Sequence, residues 1–256
     1  MFGIILVIFI GLVLGSFATA LAYRSPRNIS IITKTRSECT SCKRELTFLD
    51  LVPLLSWVFL KGKCRSCKNN IGIQYPLIEI GTLLICLLFY FIYGLTFEYW
   101  ALFMLAPILT AIISIDFEFQ IIPDELNFAI FLLGIMCFIS NSLLYASPLN
   151  FLIDNIAEPV GGLIIYGGGF ALFRLIAMLI MKREPMGLGD IKFFAAAGIW
   201  LGVSLERLSL LMFVSGLSGV VLALIWKKIT GEKEFPFGPS IILGFIVALC
   251  VYPLNY

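Results

Sequence analysis

The chain has 256 residues, of which 60% are hydrophobic and 13% charged, with a formal net charge of +2 and no histidine. A soluble domain is about 45–50% apolar, and a chain this apolar has too little polar surface to remain in water. The missing histidine excludes Ser-His hydrolases, Cys-His proteases and HExxH zinc proteases. A hydrolase built from this sequence must move protons with carboxylates, lysine or a metal-bound water.

In chain order, apolar runs cover 3–22, 75–94, 98–115, 126–145, 160–181, 191–203, 208–226 and 240–251. Most are long enough to cross a hydrocarbon core of about 30 Å as a helix. A backbone in lipid must satisfy its own hydrogen bonds, and these runs do not alternate as barrel strands would. The expected fold is an all-α polytopic membrane protein with about eight transmembrane helices; the sixth run is short enough to be re-entrant. The first run has no Lys or Arg before it and basic residues after it, which suits an uncleaved span better than a signal peptide.

Ten of the eighteen Lys and Arg residues lie between positions 23 and 74, offset only by Glu38, Glu45 and Asp50. The positive-inside rule makes this segment cytoplasmic and the N-terminus external. Alternating eight spans then places Lys182, Arg183 and the 227–233 segment inside, and the 146–159 loop, free of Lys and Arg, outside. The 117–125 loop, also placed inside, carries only acids. Three domains are expected: a first transmembrane helix (1–22), a cytoplasmic domain carrying four cysteines (23–74) and a multi-helix membrane domain (75–256).

Within the basic segment stand Cys39-Thr-Ser-Cys42 and Cys64-Arg-Ser-Cys67, separated by 21 residues. Each CxxC pair lets two thiolates bind one ion from a tight turn, and two pairs complete a tetrahedral, zinc-ribbon-like site. Disulfides are the rival reading, but a cytoplasmic loop is kept reduced. A redox dithiol does not explain two matched pairs. The expected ion is zinc first and iron second, in a structural role. Cys86, Cys137 and Cys250 fall in apolar spans and read as small core residues.

Ionisable residues at membrane depth are functional candidates by default. Asp116 follows a long apolar run, and Asp190 closes Met186-Gly187-Leu188-Gly189-Asp190; both fall at cytoplasmic span ends. Two carboxylates held close share a proton, activate water and protonate a leaving amine without histidine. The glycines make room for an extended substrate, and Pro123 would end helical structure beyond Asp116. Spacing alone leaves the choice open, because a lone Asp at a helix end is commonly a cap. Asp124 reads as the N-terminal cap of the following span. Glu79, Arg174 and Lys192 are polar groups near span ends without an assigned catalytic part, and Gly167-Gly168-Gly169 reads as a helix-packing element.

These motifs together resemble the bacterial type IV prepilin peptidases, GxGD-type aspartyl proteases that also act as leader peptidase and N-methyltransferase. Gly15-Ser16-Phe17 and Tyr23-Arg24-Ser25-Pro26 resemble the family's opening segment. Its cysteine-bearing domain is resembled by the two CxxC pairs with Pro53-Leu54-Leu55-Ser56-Trp57, Gly62-Lys63 and Tyr75-Pro76-Leu77-Ile78-Glu79. Asp116 with Pro123-Asp124 and the Met186–Lys192 motif resemble its two protease motifs, and Pro236-Phe237-Gly238-Pro239 resembles its closing one, all in the family's order. Thr40 departs from the proline often found there. The resemblance implies Asp116 and Asp190 as the catalytic pair and prepilin or pseudopilin substrates. It also implies S-adenosylmethionine-dependent methylation of the new N-terminus at the bacterial inner membrane. Lipid is the expected surrounding, and no nucleic-acid partner is expected.

Two other classes compete. A transporter would carry internal repeats and midplane charges, whereas the charges here cluster at one face. A membrane scaffold recruiting a partner through a structural zinc site explains the cysteines but leaves Asp116 and the GxGD loop without a purpose.

Overall fold

The computed structural model describes residues 2–30, 36–144, 147–182, 184, 186–232 and 234–254. Lys34, Arg183 and Lys233, counted above among the basic residues, and Ala146 of the external loop lie outside the described residues. The protein is all-α and multi-span. Among the described residues, six stretches are long and apolar enough to cross a membrane: Phe2–Arg27, Gln74–Tyr93, Phe97–Phe119, Asp124–Ser142, Leu152–Met181 and Leu205–Thr230. The runs at 191–203 and 240–251 fall on helices Leu188–Leu201 and Gly238–Val251, each of 14 residues. At 1.5 Å per residue such a helix reaches about 21 Å, short of the hydrocarbon thickness of about 30 Å.

The chain divides into two units, Met1–Leu95 with Leu102–Ile115, and Thr96–Ala101 with Asp116–Tyr256. In the first, α1 (Phe2–Arg24) packs along α3 (Gln74–Tyr93), with the short α2 (Leu55–Phe59) between them in sequence. Small residues set this close approach. A Cβ on Gly11 would lie 3.2 Å from the Leu83 Cα, and one on Gly15 would lie 2.9 Å from the Glu79 Cα. This is the small-xxx-small seam by which helices pack in lipid, where no hydrophobic force drives them together. Val7, Cys86, Phe103 and Ala106 form a buried cluster, so Cys86 is a core residue. The hydroxyls of Thr82 and Thr110 bond at 2.7 Å between α3 and α4 (Trp100–Phe119).

The second unit is organised around α9 (Leu188–Leu201), which packs against α5 (Asp124–Ser142), α7 (Ala157–Leu163) and α11 (Gly238–Val251). Between α6 (Pro148–Asn155) and α8 (Gly169–Met181), the chain passes through α7 and a π-helical turn, Ile164–Gly168. The backbones of Gly162 and Gly198 touch, leaving no room for a Cβ on either. Of the glycine run, only Gly167 serves packing: a Cβ there would meet that of Ala195 at 2.7 Å, whereas Gly168 and Gly169 face open space. The long α10 (Leu205–Thr230) pairs with α11 and buries only Leu211, Ser215 and Gly219, a stripe at four-residue spacing. Leu217, Val220, Val221 and Leu224 stay exposed, the pattern of a helix whose outer face meets lipid.

Candidate active site and metal centre

Asp116 lies in the last turn of α4, which runs on to Phe119 and ends at Gln120 in a left-handed conformation. The helix therefore stops before Pro123, which instead precedes the first residue of α5 in extended backbone, φ −63° and ψ 138°. Asp116 is buried, 4% exposed, and its Oδ2 accepts the backbone N–H of Gly238 at 2.7 Å. Gly238 opens α11, and a Cβ on it would lie 2.9 Å from that same oxygen. Only glycine lets the backbone come this near.

Asp190 is the third residue of α9, and its carboxylate reaches back to the N–H of Gly187 at the N-cap. It is half-buried, and close enough to Asp116 for the charge on one carboxylate to act on the other. A helix N-terminus presents unpaired N–H groups and favours a negative charge, which suits an acid at this place.

The glycines of the GxGD loop act through proximity, not through unusual torsions: Gly187 is extended at φ −66°, and Gly189 already belongs to α9. A Cβ on Gly189 would stand 3.1 Å from the Ile122 carbonyl oxygen and 3.2 Å from its Cβ. The loop before α5 thus lies on the GxGD turn. Asn127 of α5 clamps it by donating Nδ2–H to the Gly189 carbonyl at 3.0 Å.

Asp124 does not cap α5, where no side-chain cap bond forms. Both its oxygens instead accept from Lys192 Nζ at 2.7 Å, joining α5 to α9 on an exposed surface. Such exposed pairs contribute about 0–1 kcal/mol; this one holds register more than it adds stability. Arg174 does not extend to solvent alone. Its Nε donates to the Met186 carbonyl at 3.0 Å, and Nη2 pairs with Glu184 at 3.3 Å, so it braces the loop leading to Gly187.

In the first unit the four cysteines Cys39, Cys42, Cys64 and Cys67 come together, all sulfurs within 4.8 Å of one another. The two CxxC turns are copies. Lys43 N donates to the Cys39 carbonyl and Lys68 N to that of Cys64, and both lysines are left-handed, at φ 59° and 60°. Cys39 Sγ and Cys67 Sγ stand 3.9 Å apart. Zn–S bonds of about 2.3 Å in a tetrahedron give about 3.8 Å. Backbone N–H groups of Cys67 and Ser66 hold the Cys64 thiol down, at about 6. An N–H from Asn69 lowers Cys67, but burial and its sulfur neighbours push it up to about 11. Four thiols so crowded cannot all ionise without a cation among them. Asp50 ties both turns together: Oδ2 meets Arg44 Nη2 at 2.7 Å and Oδ1 meets Arg65 Nε at 2.8 Å.

Comparison with known proteins adds to this geometry. The bacterial peptidase A24 N-terminal domain matches residues 9–93, and the type IV leader peptidase family matches residues 103–224. A Bacillus subtilis prepilin leader peptidase/N-methyltransferase is 33% identical over 241 residues, covering 93% of this chain and 90% of its own. The chain belongs to the type IV leader peptidase family. An Escherichia coli type 4 prepilin-like proteins leader peptide-processing enzyme is 30% identical, covering 95% of this chain and 92% of its own. A Vibrio cholerae prepilin leader peptidase/N-methyltransferase is 30% identical over 95% of both chains. No solved structure matches. In this leader peptidase family member, the N-terminal match holds the four cysteines and Glu79, and the second holds Asp116, Asn127 and Asp190. Gly238, which donates to Asp116, lies beyond both matched segments. Sequence reasoning gave Gly238 and Asn127 no part in the site. The glycine between two prolines was the available signal for the first; nothing local marked the second.

Proposed function

We propose that this protein cleaves the leader peptides of prepilin-like proteins with Asp116 and Asp190 as its catalytic pair, and methylates the N-terminus so exposed. Carrying the reading is a buried Asp116, fixed by the Gly238 N–H, within electrostatic reach of Asp190. The full-length likeness to leader peptidase/N-methyltransferases supports both activities.

One ionised aspartate takes a proton from water as the oxygen attacks the scissile carbonyl. The other gives its proton to the departing amine, and the pair ends ready for a second turnover. The Gly189 turn and the Ile122 segment hold these groups in place.

Eight spans, with α9 and α11 as short ones, an external N-terminus and an inner-membrane location complete the proposal. The basic segment around the cysteines supports the orientation. The proposed domains remain 1–22, 23–74 and 75–256. The four-cysteine cluster would hold zinc structurally, since all four positions are protein sulfur and none is left for substrate. S-adenosylmethionine supplies the methyl group when bound.

Reconstituted full chain is incubated with a synthetic prepilin and S-adenosylmethionine, and the product N-terminus is read by mass spectrometry. Cleaved, methylated product is expected; an intact prepilin overturns the peptidase reading, and cleaved but unmethylated product overturns the second activity.

A further inference from the structure

Between Phe48 and Leu60 the only charged residue is Asp50. An apolar run of about 10–14 residues is too short to span a bilayer, and belongs either in a protein core or at a membrane interface. The core is excluded here. Phe48 is 92% exposed and Phe59 80%, and Leu49, Leu55 and Val58 are exposed beside them. Asp50 is the exception that turns inward, its side chain 5% exposed between Arg44 and Arg65. The outer face of the run therefore carries no charge, and a patch of this kind marks an interaction surface.

Two hydrogen bonds set the level at which this face is held. Trp57 Nε1–H donates to the Ile71 carbonyl at 3.2 Å, just before α3 begins. The Leu54 N–H donates to Glu79 Oε2 at 2.7 Å. Glu79 lies about 7.5 Å along α3 from Gln74, at 1.5 Å per residue, and helical side chains lean back toward the N-terminus. The start of α2 thus sits beside the first two turns of a helix long and apolar enough to cross the membrane. Leu54 takes φ 59° and ψ −51°, a positive φ that persists only where the surroundings fix it. Ile73 and Leu77 are exposed at the same end of α3, so lipid-facing surface begins at the level of α2. Lys61 and Lys63 follow α2 at once, both exposed and neither in an ion pair among the described residues. Lysines bordering an apolar surface extend to the phosphates of anionic lipids.

We propose that the Phe48–Phe59 face is an interfacial anchor: it sinks into the leaflet in which α3 begins, and Lys61 and Lys63 meet anionic lipid phosphates. The cysteine module then rides on the bilayer instead of hanging in water from α1 and α3. Such binding combines apolar burial with attraction for anionic headgroups, and responds to both. It holds whichever reaction the aspartates perform.

The test places a nitroxide at each end of the face in the full chain. Phe48→p-acetylphenylalanine and Phe59→p-acetylphenylalanine, each coupled to a hydroxylamine nitroxide, leave the cysteines untouched and alter only exposed side chains. In nanodiscs of phosphatidylethanolamine and phosphatidylglycerol, collisions with oxygen, which concentrates among acyl chains, are compared with those of a water-soluble nickel chelate. Both nitroxides are expected about 5–10 Å below the phosphates. Strong nickel collisions at either site put the face in water and overturn the proposal. Weak collisions with both probes, the mark of a surface covered by protein, overturn it in favour of a protein partner. Lys61→Gln with Lys63→Gln is expected to shift the nitroxide at position 59 toward the phosphates in these nanodiscs, and not in phosphatidylcholine alone. An equal response in the two lipids refutes the part given to the lysines.

Discussion

The N–H of Gly238 donates to Oδ2 of Asp116 at 2.7 Å, joining two residues 122 positions apart at the start of α11 and the last turn of α4. No side chain fits between them, since a Cβ at 238 would stand 2.9 Å from the carboxylate oxygen.

Gly238→Ala therefore displaces Asp116 or its donor. A shift of about 1 Å in a catalytic group costs up to about 100-fold in rate, and overpacking a tight contact costs about 1–3 kcal/mol. Leader cleavage is expected to fall by about 10- to 100-fold while the protein remains folded in detergent, as read by size-exclusion chromatography beside a gel-based cleavage assay. Unchanged cleavage would show that the contact is incidental.

The two glycines of the GxGD turn differ in what they tolerate. A Cβ on Gly187 meets Asp190 Oδ2 at an ordinary 3.4 Å, whereas one on Gly189 meets the Ile122 backbone oxygen at 3.1 Å. Gly189→Ala is expected to reduce cleavage about tenfold more than Gly187→Ala does, because backbone in the way cannot rotate aside as a side chain can. Initial rates of the two variants on one substrate provide the comparison, and the reverse order would contradict it.

Metal analysis of the purified chain is expected to give about one zinc per molecule, the stoichiometry of a closed site of four thiolates. Cys64→Ser or Cys67→Ser should release it and expose the 36–73 segment to limited proteolysis. Full zinc content in the serine variants would refute the shared site.

Asp50 supplies a pH dependence with a definite sign. Burial alone would raise its titration, but hydrogen bonds from Arg65 and Thr47 and the charge of Arg44 lower it from 3.8 to about 2. A group with a depressed folded value stabilises the fold above its unfolded value and loses that contribution as pH falls. Asp50→Asn should lower the thermal midpoint of the purified chain at about pH 6, and its gap from wild type should close between about pH 4 and about pH 2. A gap that persists unchanged to about pH 2 would show that the Arg44 and Arg65 pairs contribute nothing.

Much of the architecture was legible because its signals are local. Long apolar runs dictate helices wherever lipid surrounds them, and CxxC turns reveal themselves by spacing; Asp116 and Asp190 stood out as acids beside apolar spans. What was not legible depends on distant partners. Asp124 reads locally as a cap and Lys192 as a polar group near a span end, and only the packing of α5 on α9 pairs them. Asn127 looks like any polar residue near a span end until the Gly189 carbonyl comes within 3.0 Å. Glu79 was marked as unusual by its depth, but the strained Leu54 that anchors it carries no sign in the sequence.

The most direct test of the central claim is cleavage of one prepilin by Asp116→Asn, Asp190→Asn and the double variant, at equal folded concentrations. Groups acting as one unit are strongly non-additive. Each single change is expected to cost at least about 100-fold, with the double variant no worse than the more damaged single. Near-wild-type cleavage by either single variant, or losses that multiply in the double, would contradict a shared aspartate site.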